Sequence, residues 1–188
     1  HGCYFPWRNQ WFHAWCSPDP TLTFRTTNIG YVHFRADGTM VEDQMIAEFG
    51  VGQYDARWRQ IEAEWFMAGE AVEKRQNPRG GFDVRALRSG AFLRFPNIRH
   101  LRKNTGMVFL AASVNPGGCT IEIRENVPGG KRLGSCKIGK TREPGQGGWR
   151  GHLPFLCRLA NTAGTHNLCL VFKGAGQDLC SLDWFRFF

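Results

Sequence analysis

Apolar residues in this chain come in short runs or alternate with polar ones, and turn residues separate the runs. Strict alternation puts successive side chains on opposite faces, which is the period of a half-buried strand. Twenty-three glycines interrupt the 188 residues, and no 3.6-residue apolar stripe persists long enough for a substantial helix. The pattern predicts an all-β protein. Only Met67 to Lys74 reads ambiguously, because its Ala and Glu content permits a helical turn, although the stretch is short and uncapped.

Residues 1 to 55 predict a first unit of two hairpins. Cys3-Tyr4-Phe5 and Trp11-Phe12-His13-Ala14-Trp15 read as paired strands with a tip near Asn9-Gln10. Tyr31-Val32-His33-Phe34 and Thr39-Met40-Val41 flank Ala36-Asp37-Gly38, and an Asp-Gly pair between apolar runs is a strong hairpin signal. Gly50 to Asp55 reads as a connector. Two hairpins bury little core alone, so this unit must pack on something. Residues 58 to 188 predict a second unit that closes with two apolar runs, Thr165 to Lys173 and Ser181 to Phe187.

The second unit carries candidate chemistry. Glu62 and Glu64 stand at i and i+2, on one face if they lie in a strand, and Asp183 sits among the aromatics of the final run. If the first and last strands of a sandwich lie side by side, Glu62, Glu64 and Asp183 converge on one hard cation. The alternative is surface pairing with Arg57, Arg59 or Arg186, where ion pairs contribute little.

The order of pieces across the second unit resembles a family 6 carbohydrate-binding module. Those pieces are Gly80-Gly81-Phe82-Asp83-Val84, Ser89 to Phe95, Ala111-Ala112-Ser113, Gly117 to Arg124, Leu133 to Cys136, Gly147-Gly148-Trp149 and Leu182-Asp183-Trp184-Phe185. The resemblance implies a jelly-roll β-sandwich and a structural calcium on the carboxylates Glu62, Glu64 and Asp183. It also implies a sugar ring held between aromatics, because a pyranose has an apolar face while its hydroxyls need hydrogen-bond partners. Trp149 matches the loop aromatic. Phe92 falls where the family's Gly-Asp-Trp becomes Gly90-Ala91-Phe92, and Ser181 stands where the family has Asn. Ala86 stands at the usual partner Tyr. The sugar contacts implied are therefore Trp149, Phe92 and Ser181, with polysaccharide or glycan as partner.

Residues 1 to 55 in turn resemble the last blade of a family 43 glycoside hydrolase propeller. His1-Gly2, Trp11-Phe12, His33 to Thr39 and Gly50-Val51-Gly52 carry that likeness. In that family the catalytic carboxylates lie in earlier blades, and hydrolysis needs two positioned carboxyl groups across the bond. The expectation is noncatalytic binding, not an enzyme.

Cysteine, charge and the first residue adjust this picture. Seven cysteines show no CxxC spacing, and three pairs mirror one another across expected turns: Cys3 with Cys16, Cys119 with Cys136, and Cys157 with Cys169. Opposed positions allow disulfides, which predicts a secreted, extracellular protein with Cys180 left over. A start at His1 rather than Met favours processing. The net charge of +8 is scattered apart from Arg94, Arg99, His100, Arg102 and Lys103, and no nucleic-acid motif accompanies it. No run reaches the roughly 20 apolar residues of a membrane span, so neither nucleic acid nor membrane is expected as a partner. Two other functions stay open. His1 with His13 or His33 offers nitrogen ligands for a copper-dependent oxidative enzyme. The aromatics Phe5, Trp7, Trp11, Phe12, Trp15, Phe24 and Phe34 would otherwise drive self-assembly into a homo-oligomer or filament.

Overall fold

The computed structural model describes residues 2–18, 25–43, 50–77, 80–141 and 151–188. The chain opens with an antiparallel sheet of four strands in sequence order: β1 (Gly2–Trp7), β2 (Gln10–Pro18), β3 (Arg25–Phe34) and β4 (Met40–Glu42). Arg8 and Asn9 join β1 to β2 with φ of 49° and 65°, the paired left-handed conformation that matches strand twist in a two-residue turn. The tip therefore lies at Arg8-Asn9, and Cys3 faces Ala14 across the ladder instead of Cys16. The Asp37-Gly38 turn forms as its sequence predicts, with Gly38 at φ 83° and the Asp37 carboxylate accepting from the Thr39 amide.

The remaining strands build two facing sheets. One runs β13 (Arg132–Ile138), β12 (Cys119–Glu125), β15 (Gly164–Lys173), β10 (Phe92–Leu101) and β5 (Tyr54–Asp55), with β7 (Ala68–Glu70) also on β10. The other runs β14 (Leu153–Arg158), β11 (Gly106–Ala112), β16 (Gln177–Phe187), β9 (Phe82–Arg88) and β8 (Val72–Gln76), with β6 (Ile61–Glu62) added to β16. A 3-10 turn spans Ala63–Trp65. Within Met67 to Lys74 the chain is strand from Ala68 onward, broken at Ala71 by a φ of 53°.

Alternation supplies the core between the sheets. Leu93 and Phe95 of β10, with Leu168, Leu170 and Phe172 of β15, point inward against Phe109, Leu182 and Phe185 of the other sheet. Phe95 and Phe185 meet edge to face at 4.8 Å and 82°. Each such side chain contributes about 1.5–3 kcal/mol through burial. The fold is the expected all-β sandwich.

The cysteine pairs expected across the turns do not form. In the β12–β13 ladder Cys119 faces Ile138 and Cys136 faces Ile121, because the register is offset and a bulge follows Ile123. Cys157 lies in β14 opposite Met107, whereas Cys169 lies in the other sheet between Arg94 and Arg124. No S–S bond links any of the seven cysteines in this structure.

The four-stranded sheet folds back on the sandwich along one face. Phe12 and Tyr31 are buried with Phe5, Val51, Trp65 and Met67. The other face presents a ring ladder, Tyr4–His13 at 4.3 Å and His13–Trp15 at 4.9 Å, beside the edge-on pair Trp11–Phe34. Tyr4, Trp11 and Phe34 remain 46%, 38% and 39% exposed.

Candidate carbohydrate and cation sites

The three acids occupy one neighbourhood, though by another route than an i, i+2 strand face. β6 is only two residues long, and the chain turns at Ala63, so Glu64 lies in the 3-10 turn. Glu62 pairs across the ladder with Trp184, next to Asp183. Burial first, and then the charges of Asp183 and Asp43, push the Glu62 carboxyl up to about 7, against a hydrogen bond from Gln60. Burial chiefly, then Glu62, hold Glu64 well above the usual carboxylate range, with Asp183 adding to the effect. Asp183 accepts from the Asn77 amide at 3.3 Å.

Glu64 is the most exposed to misfit. Its Oε1 accepts from the Phe82 amide at 3.1 Å, while its buried Oε2 has no hydrogen-bond partner. An unpaired carboxylate oxygen in the interior is costly. It lines a cleft of about 190 Å3 with His33, Glu42, Asp43 and the glycines Gly80 and Gly81. Mutually repelling carboxyls, one carrying an orphaned oxygen, fit a divalent cation, which would supply the missing partner. Among the described residues, however, no three His, Cys, Asp or Glu side chains already close into a metal cluster.

The implied sugar contacts are spread out. Ser181 is buried in β16, its hydroxyl 3.1 Å from His152 Nε2, and Asp83 approaches that same nitrogen at 3.6 Å. A serine-histidine-acid triad places the acid on the opposite ring nitrogen, so this trio is a hydrogen-bonded cluster without the geometry of a nucleophile relay. Phe92 lies in β10 of the other sheet, half-buried, paired with Val171 and Glu70. Trp149 lies outside the described residues, as does His1. Of the other copper candidates, His13 engages Glu42 at 3.1 Å through Nδ1. His33 turns Nδ1 to Lys74, and burial drives its imidazole down to about 3. Beside the basic cluster, Arg57 holds the Asp55 carboxyl well below the ordinary range, with a smaller contribution from His100.

A polar seam between the four-stranded sheet and the sandwich escaped the sequence reading. Gln10 donates to the carbonyls of Glu64 and Phe66, both at 2.8 Å. Lys74 reaches across from β8 to Gln10 Oε1, to the Val32 carbonyl at 3.0 Å and to His33 Nδ1 at 3.0 Å. Burial pushes its amine down to about 8. Tyr31 and Tyr54 share a 2.8 Å hydroxyl contact, and Tyr54 donates onward to the Trp65 carbonyl. The signal was available, because Gln10 and His33 fall in phase with the inward-facing Phe12 and Tyr31.

These features define a two-sheet β-sandwich with an acid cluster at its first and last strands. Residues 62–188 match the family described as carbohydrate binding module (family 6), and the chain belongs to that family. A family 6 module from Clostridium cellulolyticum in complex with xylose is 29% identical, with TM-score 0.62, covering 71% of this chain and 98% of its own. A β-1,3-glucan-binding family 6 module from Bacillus halodurans is 28% identical, with TM-score 0.61, covering 72% and 98%. A family 43 arabinoxylan arabinofuranohydrolase from Bacillus subtilis, in complex with cellotetraose, is alike in fold over all of this chain and 40% of its own, at 20% identity and TM-score 0.64. The fold likeness thus includes the four-stranded sheet.

Proposed function

We propose that this protein binds polysaccharide or glycan without catalysis, through a β-sandwich that a calcium ion stabilises. The family match over residues 62–188 carries the reading, and members of similar fold are seen with xylose and cellobiose. Trp149 is the stacking platform, with Phe92 and Ser181 as further contacts. Glu62, Glu64 and Asp183 hold the calcium, supported by their mutual repulsion and the orphaned Glu64 oxygen. The ion supplies charge balance to that cluster, while the side chains fix β6 against β16. No hydrolysis is assigned, because the acids gathered here lie at a strand junction and this reading gives them to the calcium ion. The protein works outside the cell, where polysaccharide is met.

Calorimetric titration with xylo-, cello- and β-1,3-gluco-oligosaccharides tests the binding. A site leaning on one aromatic should bind in the millimolar range, about 4 kcal/mol. Trp149→Ala should weaken binding at least about tenfold, or about 1.4 kcal/mol. An array of glycans without a single binder removes the reading.

The exposed Tyr4, Trp11 and Phe34 favour a second, compatible role, self-association through the outer face of the four-stranded sheet. Light scattering coupled to gel filtration should find an oligomer or filament that a Trp11→Ser/Phe34→Ser variant disperses. A monomeric parent chain rules this role out.

A further inference from the structure

The two sheets of the sandwich touch through sulfur at two separate places. Cys119 begins β12 in one sheet, Cys180 lies in β16 of the other, and their buried Sγ atoms are 2.8 Å apart across 61 residues of sequence. Cys136 belongs to β13 and Cys157 to β14, the edge strands of the two sheets. There the Cys157 thiol donates to Cys136, which raises the pKa of the one and lowers that of the other. The backbones are equally close at this edge. The Ala160 amide donates to the Leu133 carbonyl at 3.0 Å, and a Cβ on Gly134 would stand 2.7 Å from the Arg158 carbonyl oxygen.

A buried thiol is a small hydrophobe and a weak donor, with no need of a second thiol. Two such contacts, both joining opposite sheets and neither predicted by hairpin symmetry, are not what packing alone selects. The other cysteines lack this arrangement. Cys169 is flanked in its ladders by Arg94 and Arg124. Cys3 faces Ala14, leaving Cys16 on the diagonal, where Cα atoms are about 7–8 Å apart and beyond disulfide reach.

We propose that Cys119–Cys180 and Cys136–Cys157 are disulfides in the mature protein, two staples across the sandwich, and that Cys3, Cys16 and Cys169 stay reduced. The oxidant is a disulfide such as oxidised glutathione or a disulfide-bearing oxidoreductase. One cysteine thiolate attacks its S–S bond and expels a first carrier thiolate. The second cysteine thiolate then attacks the protein sulfur of the mixed disulfide and expels the other carrier thiolate. Two electrons pass to the carrier, which leaves as two thiols carrying the two protons. This inference stands apart from glycan binding and requires only an oxidising compartment.

The test equilibrates the full chain with oxidised and reduced glutathione, blocks thiols with iodoacetamide in denaturant, and maps peptides without reduction. The expected map shows the two named cross-links and alkylation at Cys3, Cys16 and Cys169. Alkylation of all seven cysteines, or cross-links of other pairing, overturns the proposal. A thermal measurement gives a second readout. Refolding under dithiothreitol should lower the melting temperature on the order of 10 °C per bond, and the Cys136→Ala/Cys157→Ala variant should respond to reductant through the remaining bond alone. Equal melting of oxidised and reduced parent chain also overturns it.

Discussion

A Lys74→Met variant is expected to be about 3 kcal/mol less stable than the parent and to melt roughly 6–12 °C lower. Methionine keeps the apolar stem but removes the ammonium that serves Gln10 Oε1, the Val32 carbonyl and His33 Nδ1. Three acceptors are then left in a closed seam, each costing about 1 kcal/mol or more. The loss should concentrate in the four-stranded sheet, with amide exchange rising across β1, β2 and β3 while the sandwich strands stay protected. Gln10→Ala should also destabilise, by freeing the Glu64 and Phe66 carbonyls, and should add less than its own effect on the Lys74→Met background. Unchanged melting and exchange in Lys74→Met would show that water replaces the amine without cost.

The second large effect is the dependence of stability on calcium and pH together. The Glu62 carboxyl sits at about 7 in the folded chain, against an ordinary value of 4.5. The folded state therefore binds more protons between those values, and stability falls as pH rises from about 4.5 through about 7. Metal-free protein should be more stable at pH 5 than at pH 8, by about 2.5 kcal/mol from this group. Calcium requires the carboxylates ionised, so its stabilisation should be small at pH 5 and reach about 2.7 kcal/mol at pH 8 when the ion is at 100 times its Kd. Glu62→Gln should flatten the metal-free profile, and Asp183→Ala should abolish the response to the ion. Melting curves in chelator and in calcium at both pH values decide the matter. A metal-free protein that gains stability with rising pH contradicts the crowding of acids, and indifference to calcium at pH 8 removes the ion.

Features fixed by local chemistry were readable in the sequence, and features fixed by register were not. Asp37-Gly38 makes its turn because both residues suit it, and the alternation in β10 and β15 announced the core. The first hairpin turns at Arg8-Asn9, one residue before the expected Asn9-Gln10, and that shift alone sets Cys3 opposite Ala14 instead of Cys16. Met67 to Lys74 could not be resolved from composition, since what makes it strand is pairing with β10 and β9. The neighbourhood of Glu62 and Asp183 was legible because it follows from the first and last strands lying together. Glu64 joins it through a 3-10 turn that no period in the sequence encodes. The Lys74 seam spans more than 40 residues of chain, so only the phase of Gln10 and His33 with their apolar neighbours hinted at it.

The position of β16 bears on how the chain comes into being. This strand, the final one in the described sequence, lies between β11 and β9 and also receives β6. During synthesis, strands on either side of it have no common partner until Gln177 to Phe187 have left the ribosome. The four-stranded sheet emerges ahead of the sandwich, and Phe12 and Tyr31 lack their cover of Val51, Trp65 and Met67 until those residues follow, a span in which sticky surface is most open to wrong partners. Its ladders are local and can form early, whereas the sandwich depends on long-range pairing and closes late. Nascent chains stalled just before Gln177 should accordingly be protease-sensitive throughout residues 58 to 176, and release of the last strand should protect them in a single step.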